Sequence, residues 1–199
     1  MSDEETADAQ QTEGRIGLAP IRVDGSVKRS FLFPAELLDT FDYYQNYINI
    51  FRYLPHIDID KVINQNEFRL KYETIELGMY RIKIFCRIQA ELLQNEFSIR
   101  MKSIEPAEKP PDSRGIYSAT TSGEFTSVSQ FESHQNQTIV HYQLNLRANL
   151  PAPYGLALIP EAARNRLSAG ITRYRIDEIA AAFIRRSVDG YLRLLTNSQ

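Results

Sequence analysis

The stretch that decides the fold is the last quarter of the chain, which reads LPAPYG at residues 150–155 and PEAARNRLSAGITRYRIDEIAAAFIRRSVDGYLRLL from Pro160 to Leu195. The prolines end a long run of strand-like sequence, because proline has no N–H to contribute to a sheet. After Pro160 the apolar residues recur at helical spacing, interrupted at Gly170. One long helix that closes a series of strands predicts a sheet curved around that helix, with a space between them.

The closing helix is predicted to carry an apolar stripe broad enough to pack on a sheet. Its members are Ile176, Ile179, Ala180, Phe183, Val188, Tyr191 and Leu194. Seven arginines occupy the rest of the segment, namely Arg164, Arg166, Arg173, Arg175, Arg185, Arg186 and Arg193. We interpret them as a solvated face; the alternative is weak attraction to an anionic membrane surface. Gly170 is expected to divide the helix from a short lead-in that acts as a hinge or lid.

Before this helix, the alternation of apolar and polar residues predicts antiparallel strands from Ile57 to Ala148. The clearest strands lie at residues 67–74, 80–90, 97–101, 123–131 and 140–147. Gly78 can supply a turn with positive φ between the first two. The segment from Pro106 to Ser118, with its proline pair, is expected to be an extended loop. The result is a long antiparallel meander.

The chain ahead of the meander predicts one further strand and two short helices. Residues from Ser26 to Phe33 alternate as a strand does, and Pro34 suits the first turn of a helix. Apolar residues at helical spacing follow as far as Phe51, with a break expected at Asn46 and Asn49. The pair Leu54-Pro55 ends the segment, since a residue before proline avoids the helical region.

The bulk composition is that of one soluble domain, which we place at residues 25–197. The chain has 199 residues, of which 43% are hydrophobic and 24% charged, enough for a sizeable core. Residues 1–24 are expected to be a disordered acidic tail, because five acids and no base occupy the first fourteen positions. The remainder holds 23 bases and 20 acids. This balance is too mild to indicate a nucleic-acid partner.

Targeting signals are not expected in this sequence. No apolar run approaches the roughly 20 residues of a spanning helix, and the N-terminus has neither the basic start nor the apolar core of a secretory signal. Cys86 is the single cysteine, which fits a reducing compartment. We therefore expect a cytoplasmic protein, either free or peripheral to a membrane.

The order of elements resembles the START-like, or helix-grip, superfamily (SRPBCC), which includes the polyketide cyclase/dehydrase group. Three features carry the resemblance: the entry Phe31-Leu32-Phe33-Pro34-Ala35, the helical pair ending in Tyr53-Leu54-Pro55, and the tail from Pro160. The segments YETIELGMYRIK, LPAPYGLALIPEAARNRLSAG and FIRRSVDGYL resemble, within it, a family of uncharacterised proteins of photosynthetic bacteria and plastids. The resemblance implies an α+β fold with a ligand cavity between sheet and helix. It implies no particular reaction.

The candidate ligand-binding residues are the apolar ones in the inward phase of the strands and the final helix. They are Phe68, Leu70, Tyr72, Tyr80, Ile84, Phe125, Tyr142, Leu144, Ile179 and Phe183. Tyrosine stands out, and Tyr72, Tyr80, Tyr142, Tyr174 and Tyr191 all fall on faces assigned inward. A ring with a hydroxyl suits a lipid-like ligand with a few polar atoms. The same rings would equally fill a closed core.

Catalytic and metal-binding signatures are not found in the sequence. His56, His134 and His141 lack metal-ligand spacing, and His141 falls on the solvent side of its strand, whereas His56 sits where it can border a cavity mouth. Ser127 and Ser129 either orient a polar ligand group or satisfy each other and the backbone. Cys86 is most simply a small buried hydrophobe. No catalytic residue, metal site or cofactor is predicted.

Three functions remain open from the sequence. The first is non-catalytic binding of an apolar or amphipathic small molecule of the lipid, isoprenoid or pigment class. The second is an assembly factor that binds a protein partner, and the third is a polyketide cyclase-like enzyme. Because the inward phases offer almost no titratable group, the sequence favours binding over catalysis.

Overall fold

A computed structural model of the chain describes residues 19–105 and 112–197. The strands are β1 (Ile21–Phe33), β2 (Ile57–Asn64), β3 (Glu67–Glu76), β4 (Tyr80–Leu93), β5 (Ser98–Ser103), β6 (Ser113–Arg114), β7 (Ser118–His134) and β8 (Gln137–Leu150). The helices are α1 (Leu37–Gln45), α2 (Tyr47–Phe51) and α3 (Glu161–Asn197), with single 3₁₀ turns at Gln94–Glu96 and Tyr154–Leu156.

The strands form a single sheet in the order β1-β8-β7-β5-β4-β3-β2, with β6 paired to β7. Neighbours are antiparallel, apart from a short parallel pairing in which residues 81–85 of β4 meet residues 118–122 of β7. Helix α3 lies across one face of the sheet, and α1 and α2 close one end. The predicted α+β helix-grip architecture is therefore confirmed.

Local signals in the sequence account for the joints between elements. The side chain of Asn46 accepts a hydrogen bond from the backbone N–H of Asn49 at 3.2 Å, which separates α1 from α2 as expected. Gly78 has a φ of 73° in the turn between β3 and β4, which confirms the expected glycine turn. The predicted turn at residues 94–95 lies in the 3₁₀ turn that precedes β5.

The first strand is longer than the sequence pattern predicts. It begins at Ile21, paired with Leu150 of β8, and not at Ser26. Residues 21–24, which were expected to belong to the acidic tail, are thus part of the sheet, because β8 offers them a partner along its whole length. The expectation of disorder for residues 1–18 lies outside the described residues, as do residues 106–111 of the predicted loop.

Helix α3 is continuous through Gly170, so the expected division at this residue is wrong. Gly170 is exposed, and a Cβ built there meets nothing within 4 Å, so the helix tolerates the glycine without needing it. Gly25 of β1, in contrast, is required: a Cβ there would lie 2.9 Å from Cγ2 of Thr172. This close approach fixes α3 against the first strand.

Aromatic side chains fill the space beneath the C-terminal half of α3. Phe183 stacks on Tyr142 of β8 with ring centroids 4.5 Å apart, and Tyr44 of α1 meets Phe183 edge-on at 6.1 Å. The apolar stripe of α3 ends at Tyr191, because Leu194 is 52% exposed and lies outside the core, contrary to expectation. Among the described residues, no helix is long and apolar enough to cross a membrane.

Candidate functional site

A cavity lies between the sheet and the N-terminal half of α3. The volume of the cavity is about 80 Å³, which is several times the volume that one water molecule needs. The lining is mostly apolar. From the sheet side it comprises Ile21, Val23, Tyr72, Leu77, Tyr80, Ile82, Ile84, Leu146 and Leu150, and from the connection and the helix Pro153, Leu156, Leu167, Ile171, Ile176 and Ile179.

Small side chains on α3 account for the position of this cavity. Among larger residues such as Ile171, the helix faces it with Ser168 and Thr172, whereas about three turns beyond Thr172 it places Phe183 against the sheet. Gly25 lets the backbone of β1 approach α3 closely, so the helix is held near the sheet while its short side chains leave space beside the contact. The cavity is thus enclosed by rigid elements and not by loops alone.

One wall of the cavity carries a buried ion pair between sheet and helix. Arg175 of α3 donates from Nε to Oε1 of Glu76 at 2.9 Å and from Nη2 to Oε2 at 3.3 Å. Glu76 is the last residue of β3, and its Oε1 also accepts from the hydroxyl of Thr74 at 3.0 Å. The side chains of Arg175 and Glu76 are only 19% and 8% exposed. This geometry is that of a bidentate arginine–carboxylate pair.

The ion pair extends to a second carboxylate at the surface. Arg175 Nη1 donates to Oε2 of Glu178 at 2.7 Å, and Nε2 of His56 lies 3.4 Å from Oε1 of the same carboxylate. Burial acts to raise the pKa of Glu178, but hydrogen bonds from Arg175 and His56 outweigh it, so the pKa lies below its ordinary value. The hydrogen bond to Glu76 is the main reason why the pKa of Arg175 is raised.

A second arginine, Arg164, faces the cavity from the first turns of α3. Arg164 is 7% exposed, and its Nη1 donates to the backbone carbonyl of Leu156 at 3.4 Å. Among residues 19–105 and 112–197, that carbonyl is its one hydrogen-bond acceptor, and no carboxylate lies within ion-pairing distance. A guanidinium has five N–H donors, so most of this group's hydrogen-bonding capacity is unused.

The predicted ligand-binding residues fall into two groups. Four of them, Tyr72, Tyr80, Ile84 and Ile179, line the main cavity. The other six belong to the packed core, and they are Phe68, Leu70, Phe125, Tyr142, Leu144 and Phe183. Tyr142 and Phe183 also border a small void of about 20 Å³, room for a single water, together with Ser127 and Ser129.

Three expectations about polar residues are wrong. Arg164 and Arg175 do not lie on the solvated face of α3, and the inward face does carry titratable groups, since Glu76 borders the cavity with them. The sequence did contain the information that Glu76 points inward, because it continues the alternating series of inward residues in β3 that runs from Phe68 to Thr74. Arg164, Thr172 and Arg175 recur at helical spacing with Ile176 and Ile179. Tyr174, assigned inward, is 64% exposed.

The remaining candidates lie where their strand phases predict. His141 is exposed and lies 2.8 Å from the hydroxyl of Ser30 on the outer face of the sheet. Cys86 is 3% exposed, and burial raises the pKa of its thiol to about 12, so it is a poor nucleophile. Burial likewise raises the pKa of Tyr72, which borders the cavity. These residues give the site no evident catalytic group.

Exposed apolar side chains lie on two segments next to residues that line the cavity, the β3–β4 turn at Leu77 and the 3₁₀ turn around Leu156. Backbone hydrogen bonds from Tyr154 and Gly155 to the carbonyls of Gly115 and Ile116, at 3.1 and 2.9 Å, join this 3₁₀ turn to the segment before β7. We call the exposed apolar residues here the apolar rim. It comprises Leu77, Met79, Ile116, Tyr117, Tyr154 and Leu158, which are between 47% and 96% exposed.

Comparison with known proteins finds similarity to solved structures, and this similarity concerns the fold alone. No family model matches it. No curated protein matches it either. Among solved structures, a conserved protein from Geobacillus kaustophilus has a TM-score of 0.53 at 8% identity, over 85% of this chain and 95% of that one.

Two further solved structures have lower TM-scores. A START superfamily protein from Mycobacterium smegmatis has a TM-score of 0.45 at 12% identity, over 85% of this chain and 98% of that one. An aromatase/cyclase from Streptomyces sp. R1128 has a TM-score of 0.44 at 10% identity, over 83% and 90%. At these identities a likeness concerns the fold, and at TM-scores below 0.5 these two add no support of their own.

Proposed function

We propose that the protein is a START-like binding module that holds an apolar or amphipathic small molecule between its sheet and α3. The observation that carries this proposal is the cavity itself, whose lining is apolar apart from a few convergent polar groups. That combination of an apolar lining and a few polar groups is characteristic of small-molecule sites. At about 80 Å³ the cavity is smaller than the roughly 300–1,000 Å³ of such sites, so it must widen when a whole ligand enters. The ligand is of the lipid, isoprenoid or pigment class.

The ligand-binding residues in this proposal are the predicted residues that line the cavity, Tyr72, Tyr80, Ile84 and Ile179. Ile171 and Leu146 join them from the facing helix and strand. The six predicted residues of the packed core support the walls and do not contact the ligand. The resemblance to proteins of photosynthetic bacteria and plastids makes isoprenoids and pigments the first compounds to examine.

Binding is favoured over catalysis by the state of the carboxylate at the cavity wall. Both oxygens of Glu76 accept hydrogen bonds from Arg175, and one of them also accepts from Thr74. A general base needs a free lone pair within reach of the substrate proton. Glu76 already accepts three hydrogen bonds from its structural partners, so this carboxylate is a poor candidate for the general base of a cyclase-like enzyme.

Exchange of the ligand at a membrane surface follows from the apolar rim. Of its exposed side chains, Leu77 also lines the cavity, so a ligand that passes the rim would move between bilayer and protein without crossing water. The protein is then peripheral, since shallow insertion of a few apolar side chains gives reversible attachment. A protein partner that covers the same rim is the competing explanation, and it corresponds to the assembly-factor hypothesis.

Native mass spectrometry of protein purified from its own host tests the binding proposal. A co-purifying small molecule is expected, and it should be lost in the variant Ile171→Phe, which places a larger ring in the cavity. Ile63→Phe is the matched control, because Ile63 is 40% exposed on β2 and does not line the cavity. An empty wild-type protein that also fails to bind added fatty alcohols or isoprenoids would contradict the proposal.

Co-sedimentation with phosphatidylcholine vesicles tests the role of the apolar rim. Leu158→Ser is expected to weaken attachment several-fold, because Leu158 is 96% exposed and its loss costs the folded state little. Leu32→Ser, at an exposed position on β1, is the control. Wild-type protein that stays in the supernatant and instead captures a protein through the rim would favour the assembly factor.

A further inference from the structure

We propose that the cavity ligand carries a single carboxylate, bound by Arg164, with an apolar tail that occupies the space between sheet and helix. This inference rests on the proposed function and names the chemical class of the ligand. It begins from Arg164, the cavity residue whose polar groups are least satisfied by the described part of the chain. Arg164 is 7% exposed as a residue, and its guanidinium makes one long hydrogen bond, to the carbonyl of Leu156.

A buried cation in this state is unfavourable unless an anion accompanies it. Removing a guanidinium from water costs free energy that only a counter-charge or a full set of hydrogen bonds can offset. Its position makes the cost larger, because Arg164 lies in the first turn of a 37-residue helix, whose N-terminus carries positive partial charge. The same positive end stabilises an anion. Both contributions therefore favour a negative group beside Arg164.

The other charged residues of the cavity wall do not compete for that anion. Arg175 is neutralised by Glu76 and also donates to Glu178, so it has no charge to spare. Among the lining residues that the structure describes, Arg175 is paired with carboxylates and Arg164 is not, so Arg164 is the positive charge with no counter-charge beside it. A ligand with one negative charge balances it, whereas a phosphate monoester, with close to two, would leave excess negative charge near Glu76.

The geometry of the guanidinium also favours a carboxylate. Arginine binds a carboxylate through two parallel N–H···O bonds. In the guanidinium of Arg164, Nη1 donates to the carbonyl of Leu156, and no other nitrogen has a hydrogen bond to the described residues. Ser168 and Thr172 follow Arg164 on the same helical face at spacings of four and eight residues, and both border the cavity. The ligand head therefore lies at the start of α3, and the tail runs toward Ile176 and Ile179.

Isothermal titration calorimetry with the full-length protein tests this inference with three probes that share one tail: dodecanoic acid, 1-dodecanol and dodecyl phosphate. Wild-type protein should bind dodecanoate at least about tenfold more tightly than dodecanol, because a charge-assisted pair with a buried arginine contributes on that scale. Arg164→Gln should abolish this preference and leave the affinity for dodecanol within about twofold. Arg166→Gln, an exposed arginine of the same helix, is the matched control and should change neither.

The outcomes separate this inference from the function on which it rests. Equal affinity of the wild-type protein for acid and alcohol would overturn the carboxylate and leave the binding module intact, and this comparison needs no variant to fold. Tighter binding of dodecyl phosphate would replace the carboxylate by a phosphate. Absence of binding by all three probes would contradict the binding module itself.

Discussion

Arg175 and Glu76 join the closing helix to the end of β3 through two hydrogen bonds, at 2.9 and 3.3 Å, beside the cavity. They lie 99 positions apart in sequence, and both side chains are largely removed from water. The pair thus holds α3 at a fixed distance from the sheet beside the cavity that both residues border.

The first prediction is that this pair is strongly coupled in stability. Arg175→Gln should lower the free energy of unfolding by roughly 3 kcal/mol, because it leaves Glu76 buried with Thr74 as its partner. Glu76→Gln should cost less, since Arg175 keeps Glu178 at 2.7 Å. The double variant should cost less than the sum of the two. Urea denaturation of the four proteins measures the coupling.

A surface pair between β1 and the same helix is the control for this cycle. Arg29 and Asp177 lie 2.7 Å apart, but their side chains are 50% and 45% exposed, so Asp177→Asn should cost under about 1 kcal/mol. Additive effects of Arg175→Gln and Glu76→Gln would contradict the coupling and reduce the pair to two independent surface charges.

The second prediction concerns acid sensitivity at Glu178. Its folded pKa lies below the ordinary glutamate value of 4.5, so its contribution to stability is fully present above pH 4.5 and is lost as the pH falls through the folded pKa. The stability difference between wild type and Glu178→Gln should therefore be largest at neutral pH and shrink in acid. Urea denaturation across this range measures it, with Asp189→Asn, an exposed carboxylate of α3, as control. A difference that is constant with pH would contradict the prediction.

The third prediction is that Cys86 is protected in the native state. With a thiol pKa of about 12 against an ordinary value of 9.0, its thiolate population is about a thousandfold lower than that of an exposed cysteine. A disulfide reagent at neutral pH should label it fully in urea but label the folded protein at least about a thousandfold more slowly. Rapid labelling of the folded protein would show that β3 and β4 open readily around it.

The sequence predicted the architecture because its local signals agree with one another. The alternation in β3, the asparagine at the break between α1 and α2, and the glycine turn at Gly78 each specify their own segment. The first strand was predicted too short because the pair Asp24-Gly25 is typical of a turn, whereas pairing with β8 continues through it to Ile21. A tertiary partner decided what local preference did not.

The cavity was only partly predictable, for a different reason. Strand phase correctly indicated an inward Tyr72 and Ile84, but whether a wall residue faces a void or a packed core depends on the volumes opposite it. Ser168 and Thr172 leave space, whereas Phe183 fills it. The charged residues were missed because arginines were assigned to solvent by type, although Arg164 and Arg175 share the helical phase of the apolar stripe.

The fourth prediction contrasts two glycines of α3 under the same substitution. Gly170→Ala should raise the free energy of unfolding by about 0.5–1 kcal/mol, because the residue is exposed, the space around it is open, and alanine reduces the entropy lost on helix formation. Gly190→Ala should lower it by about 1–3 kcal/mol, since a Cβ there would lie 2.2 Å from the hydroxyl of Tyr53, which bonds Tyr43 at 2.7 Å. Thermal denaturation of both variants measures the two signs. Destabilisation by Gly170→Ala would contradict the prediction. It would support the hinge that the sequence suggested, because a hinge at this position requires glycine, whereas a continuous helix does not.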